Sequence, residues 1–264
     1  MAPLSGGEED AAALAAAVVM AESFGAEVAG VYVPADLADL MPWMGEGFMG
    51  GVQATALESL QEAATLGEAA ARAAVERCTY GKIRFVSLQT PVWAGLAAEG
   101  RLSDVVVVTN VTARGRGPLA ESFQQMVAGE QRPMLVARPG LTTSGRVMVA
   151  WDGGKEASRA ARLALPLLEK AAHVVIVTAP KSNARQIDPM RLQDYYAQRG
   201  LKTEVELLTA GGDVGHALLD VAKGVEADIL VAGAFGHPRL QEFIFGGTTR
   251  TLLNSDGPSL FLSH

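Results

Sequence analysis

Ile229-Leu-Val-Ala232 runs directly into Gly233-Ala-Phe-Gly236, and after nine intervening residues come Gly246-Gly247-Thr248-Thr249. The apolar run reads as a buried strand, and Thr248 to Asn254 reads as a helix. Glycines at a strand exit let the main chain turn tightly and approach a bound group with no Cβ in between. A helix N-terminus adds unpaired N–H groups and partial positive charge, which suit a phosphate. Strand, glycine loop and helix in this order predict a βα unit whose exit can hold a nucleotide.

Working outward, the unit recurs. Pro3-Leu-Ser5-Gly6-Gly7-Glu8-Glu9 matches Ala150-Trp-Asp152-Gly153-Gly154-Lys155-Glu156, each ahead of an alanine-rich helical stretch. Ala26 to Pro34 matches Ala172 to Pro180 as a second strand, and Phe85 to Leu88 matches Val205 to Leu208 as a third. Ser103 to Val108 matches Ala227 to Ala232 as a fourth, and Pro133 to Val136 matches Pro258 to Phe261 as the last. Short β-branched runs alternating with helical patterns predict βαβ units on a parallel sheet. Right-handed crossovers then cover both faces with helices. The small, polar stretch Pro139 to Gly145 reads as a linker. Two five-stranded domains follow, 1–140 and 146–264. Only Met1 to Leu4 precede the first glycine turn, so the first strand is a stub, and native residues are expected ahead of Met1.

Bulk properties agree with this division. A chain of 264 residues, 49% hydrophobic and 19% charged, has material for two cores. A net charge of -7 argues against nucleic acid as a partner. The single cysteine, Cys78, rules out an internal disulfide and fits a reducing cytoplasm. Ala11 to Met20 is apolar, but Glu8, Glu9 and Asp10 precede it where a secretory leader carries positive charge. It is also too short to cross a bilayer, so it reads as an amphipathic helix and no membrane is expected.

Val149-Ala-Trp-Asp152-Gly153-Gly154, with Gly233-x2-Gly236-x9-Gly246 beginning about eighty residues after Asp152, resembles the universal stress protein family in its tandem two-domain form. The resemblance covers most of the chain and is closest from Arg146 to His264. It implies two doubly wound α/β domains, each a parallel sheet of order 3-2-1-4-5 with helices on both faces. It also implies a stress-response role and an adenine nucleotide, ATP or AMP, with Mg accompanying it. By resemblance Asp152 contacts the adenine or ribose side, while Gly233, Gly236 and Gly246 wrap the phosphates. Gly153, Val177, His237, Gly247, Thr248 and Thr249 complete that nucleotide-binding set. In that strand order the first and fourth strands flank the topological switch point, where ligands bind beyond strand C-termini. The last strands, Pro133 to Ala137 and Pro258 to Ser263, are expected to pair antiparallel and protect two sheet edges. The two halves would then mimic a dimer, with a further homodimer or protein partner still open.

The chain departs from the family pattern at Gly247, where ATP-binding relatives place Ser or Thr. A lost hydroxyl-to-phosphate hydrogen bond costs roughly 1.5–3 kcal/mol, about ten- to a hundred-fold in affinity. Thr248 and Thr249 can supply hydroxyls in its place. The first half departs further. Ser5 replaces the strand-end Asp, leaving no carboxylate there, and Thr109-Asn110-Val111-Thr112 replaces the first glycine pair. Glu121-Ser122 stands where Gly246-Gly247 stands, so no nucleotide is expected in the first half.

Plainer readings stand beside these. Asp152 is also a good helix cap, Gly246-Gly247 a good turn, and Lys155, Arg239 and Arg250 ordinary surface cations. His237 and Glu242 are the local acid–base candidates, but neither spacing defines a catalytic set, so a slow ATPase is the most that is expected. The scattered histidines and lone cysteine form no metal cluster. The Trp- and Met-rich stretch Met41 to Met49 offers an alternative function, a scaffold that binds a protein partner and no nucleotide.

Overall fold

The computed structural model describes residues 1–34, 51–88, 90, 92–179, 188–208, 213–234 and 247–264, with main chain only for 51–57 and 93. The Met41 to Met49 stretch, Gly236, His237 and Gly246 lie outside the described residues, as do Arg239 and Glu242. Two compact units divide between Met126 and Val127. No helix among the described residues is long and apolar enough to cross a membrane.

The first unit begins with β1 (Ala2–Leu4), α1 (Glu9–Phe24), β2 (Val28–Tyr32), α2 (Gly51–Glu76) and β3 (Ile83–Ser87). It continues with α3 (Val92–Gly100), β4 (Val106–Thr109) and α4 (Asn110–Ala113). Parallel pairing joins β1 to β2 and β2 to β3. Val107 donates its N–H to the Met1 carbonyl at 2.9 Å, which sets β4 on the other side of β1. The three-residue stub therefore works as a central strand, with Ala2 and Leu4 wholly buried.

The second unit follows α5 (Ala120–Ala128), which runs across the division. Its elements are β5 (Met134–Ala137), β6 (Arg146–Ala150), α6 (Lys155–Leu163), α7 (Leu165–Leu168), β7 (His173–Thr178) and α8 (Pro189–Ala197). Then come β8 (Thr203–Leu207), α9 (Val214–Gly224), β9 (Ile229–Gly233), α10 (Gly247–Asn254) and β10 (Ser259–Ser263). The parallel strands run β8-β7-β6-β9-β10, which is the order 3-2-1-4-5. β5 pairs antiparallel with β10, Leu260 opposite Val136, and so packs with the second unit.

Burial explains the near-continuous apolar strands. Helices cover the sheet, and Val147 to Val149 and Ile229 to Val231 are all at most 1% exposed. Pro166 sits in the first turn of α7, where its ring and missing N–H separate that helix from α6. Tyr196 is fully buried and donates its hydroxyl to the Ala161 carbonyl at 3.0 Å, tying α8 to α6. Arg138, just after β5, is buried and donates to the carbonyls of Leu252 at 2.6 Å and Pro258 at 2.7 Å. A cation there complements the negative end of α10 and holds that helix against the sheet.

Candidate functional site

β6 and β9 lie side by side, and the chain leaves them toward opposite edges of the sheet. Their C-terminal ends consequently diverge, as strand order requires at a switch point. A cavity of about 400 Å³ opens there, within the range of roughly 300–1,000 Å³ common for small-molecule sites.

Asp152, Val177, Gly233, Gly247, Thr248 and Thr249 all line this cavity. Gly153 does not line it. Its φ of 77° makes the turn between β6 and α6, and Gly6 makes the same turn in the first unit at 76°. That left-handed conformation costs an L side chain energy that glycine avoids.

Asp152 is exposed, and its Oδ1 accepts the Gly154 N–H at 2.7 Å. The helix cap itself is Gly154, with no side-chain hydrogen bond, so Asp152 braces the turn one step before the helix. Among the described residues, Oδ2 carries no partner and is available to a ligand hydroxyl.

The glycines differ in what they do. A Cβ at Gly233 would lie 2.5 Å from the Ala157 nitrogen and 2.7 Å from the Glu156 carbonyl carbon. Glycine is therefore demanded there by the close approach of β9 to the start of α6. Among the described residues a Cβ at Gly247 would meet nothing within 4 Å, so none of them requires glycine at that position.

Two helix starts abut the cavity, Gly154 to Ala157 on α6 and Gly247 to Thr249 on α10. Apart from the Gly154 N–H, which Asp152 takes up, the N–H groups of these first turns and their dipoles favour an anion. The opposite wall is apolar: Val177 and Leu208 are buried, and Val214 and Leu218 come from α9. Asp213 caps α9 by accepting the His216 N–H at 2.9 Å, and that bond holds its carboxyl below the usual range. A Cβ on Gly215 would come within 2.6 Å of Thr251, so α9 sits tightly on α10 and keeps its apolar residues at the wall.

Sequence reasoning passed over Trp151, Glu156, Ala179, Leu208, Val214 and Leu218. Trp151 and Glu156 stood inside the quoted repeat, one residue before Asp152 and two after Gly154. The others come from separate strands and helices, and no spacing links them. Glu156 is buried, and its Oε1 lies 3.3 Å from the Lys155 ammonium, whose side chain is 74% exposed. Arg250, the neighbouring cation on α10, is exposed. Among the described residues no group of three or more His, Cys, Asp or Glu is placed to hold a metal.

The matching crevice in the first unit is about 40 Å³, flanked by Ser5 and Thr109. Here the expectation of no carboxylate is corrected. Asp10 is 3% exposed and accepts the N–H of Ser5 at 2.9 Å, the N–H of Gly6 at 2.8 Å and the Ser5 hydroxyl at 3.2 Å. The carboxylate comes from the helix and not the strand end, and it occupies the turn's own donors. Ala157 stands at the corresponding place in the second unit.

Residues 143–255 match the family model described as the universal stress protein family. A universal stress protein of Synechocystis sp. is 26% identical over 145 residues, covering 52% of this chain. The match spans about half of that relative's length, 49%. The crystal structure of a universal stress protein from Archaeoglobus fulgidus DSM 4304 is similar over 99% of this chain and 95% of its own, with TM-score 0.64 and 15% identity. A universal stress protein solved in complex with cAMP is similar over 47% of this chain and 99% of its own, with TM-score 0.37 and 20% identity.

Proposed function

We propose that the second unit, a universal stress protein domain, binds an adenine nucleotide at the fork between β6 and β9 and serves a regulatory role rather than a catalytic one. The observation that carries the reading is the cavity of about 400 Å³, where a carboxylate, two helix starts and an apolar wall converge. Val177, Leu208 and Leu218 offer a slot for a flat base. Asp152 offers Oδ2 to a ribose hydroxyl, and the first turn of α10 offers the N–H groups of Gly247, Thr248 and Thr249 to phosphate. Where Mg accompanies the nucleotide, Asp152 and Glu156 are the carboxylates at hand. The regulatory reading rests on the sequence, where the local acid–base candidates His237 and Glu242 define no catalytic set. The first unit, whose crevice is about 40 Å³ and whose turn donors Ser5 and Gly6 are taken up by Asp10, is a structural copy. We place the domains at 1–140 and 146–264 and the protein in the cytoplasm, on the linker and the lone Cys78.

Calorimetric titration of the wild type and Asp152→Ala with AMP and ATP tests this. Wild-type binding in the micromolar to millimolar range, weakened about tenfold or more by Asp152→Ala, is expected for one lost hydrogen bond to a charged group. Absence of heat with either nucleotide at millimolar concentration refutes the site. Binding indifferent to Asp152→Ala places the ligand elsewhere.

A further inference from the structure

We infer that His264 is a positioning residue for the nucleotide site, holding the exit of β9 and the start of α6 in the spacing that shapes the cavity. The inference rests on the adenine-nucleotide reading above and concerns what keeps that site in its binding geometry.

Gly233, the last residue of β9, lines the cavity. It lies so close to α6 that a Cβ there would stand 2.5 Å from the Ala157 nitrogen. At such packing a small slide of either element past the other reshapes the cavity wall. The next residue, Ala234, is 1% exposed, so both of its main-chain polar groups need partners within the protein. Both partners come from the end of β10. The Ala234 N–H donates to the Ser263 carbonyl at 2.8 Å, and the Ala234 carbonyl lies 3.0 Å from Nδ1 of His264. A carbonyl oxygen can only accept, so Nδ1 carries the proton and donates. The imidazole thus extends the ladder of β9 and β10 beyond its last pair, Gly233 with Ser263. The main-chain oxygen of His264 in turn accepts from Arg159 at 2.8 Å, and the same guanidinium nitrogen donates to Oε1 of Gln131 at 3.0 Å. Arg159 stands on α6, three residues after Glu156, which lines the cavity. All of these residues belong to the second unit. One residue therefore grips both sides of the contact, β9 through its imidazole and α6 through its main chain. Without the imidazole the Ala234 carbonyl is buried and lacks that donor, and the exit of β9 loses its tie to α6.

The test is a calorimetric titration of the full chain with AMP, on the wild type, His264→Ala, His264→Asn and Arg159→Ala, with each melting temperature followed by circular dichroism. Asparagine places an amide donor close to where Nδ1 stands, and Arg159 is exposed, so its truncation is expected to leave the fold intact. The expected result is AMP bound about five- to tenfold more weakly by His264→Ala, about threefold more weakly by Arg159→Ala, and within about twofold of the wild type by His264→Asn. Wild-type AMP affinity in His264→Ala, whatever its melting temperature, marks a contact that serves stability alone; it overturns the inference and leaves the adenine-nucleotide reading intact. A loss that asparagine does not restore overturns the role of the Nδ1 hydrogen bond. Should His264→Ala fail to fold, Arg159→Ala decides, and wild-type affinity in that variant overturns the inference. No binding of AMP by the wild type overturns the underlying reading and this inference with it.

Discussion

Gly233 and Gly247 belong to the same glycine-rich signal, yet alanine is expected to act oppositely at the two. At Gly233 the new methyl would lie 2.5 Å from the Ala157 nitrogen, whereas ordinary van der Waals contact begins at 3.4 Å. The start of α6 must therefore retreat by about 0.9 Å, or β9 must shift as far. The obstructing atoms include main chain of the helix, which cannot swing aside as a flexible side chain would. Overpacking of this kind costs about 1–3 kcal/mol. Loss of glycine's freedom in the unfolded chain returns about 0.4–1 kcal/mol, so a net loss of about 1–2 kcal/mol remains. For a domain of this size that is a fall in melting temperature of about 4–8 °C. At Gly247 no described residue lies within 4 Å of the added methyl, and the unfolded-state gain is what applies. Gly247→Ala is thus expected to melt at or slightly above the wild type. Thermal unfolding followed by circular dichroism on both variants measures this. Equal melting temperatures, or a larger fall for Gly247→Ala, would refute the claim that β9 and α6 meet through Gly233.

Gly247→Ser adds a hydroxyl at the cavity edge that meets none of the described residues. It is expected to tighten AMP and ATP binding about tenfold, and an unchanged dissociation constant in calorimetry would place the phosphate away from α10. Asp10→Ala strips the acceptor from the N–H groups of Ser5 and Gly6, so urea unfolding should show a loss of about 2–3 kcal/mol in the first unit, with nucleotide titration unaffected. Tyr196 sits in a site where burial raises its pKa above 10.0, the ordinary tyrosine value. Above pH 10 the unfolded chain gives up this proton while the folded chain keeps it. The unfolded state then binds fewer protons and stability falls with rising pH. Tyr196→Phe is expected to cost about 1 kcal/mol at neutral pH and to flatten that alkaline decline. A wild-type decline identical to that of the variant would show that Tyr196 does not cause it.

Much of the architecture was legible before any coordinates. The alternation of β-branched runs with helical stretches defines βαβ units, because strand and helix periods are local properties of the chain. The matched turns Ser5-Gly6-Gly7 and Asp152-Gly153-Gly154 revealed the repeat, and Gly6 and Gly153 share one left-handed conformation because few other residues tolerate it. Asp152, Val177, Gly233, Gly247, Thr248 and Thr249 could be named from the family resemblance, and they line one cavity because strand ends and helix starts meet at a switch point.

What required the folded molecule were the pairings between distant segments. Whether a glycine serves a ligand or a neighbouring helix depends on what its missing Cβ would strike, and Ala157 is far from Gly233 in the chain. Asp10 reaches back from the next helix to the N–H groups of Ser5 and Gly6, a substitution in space that position-by-position comparison of the two turns does not reveal. Glu156 looks like a surface residue in sequence, and only the packing of α6 against β9 buries it at a cavity wall. Local conformation is encoded over a few neighbouring residues. The charge and room of a crevice depend on side chains converging from separate strands and helices.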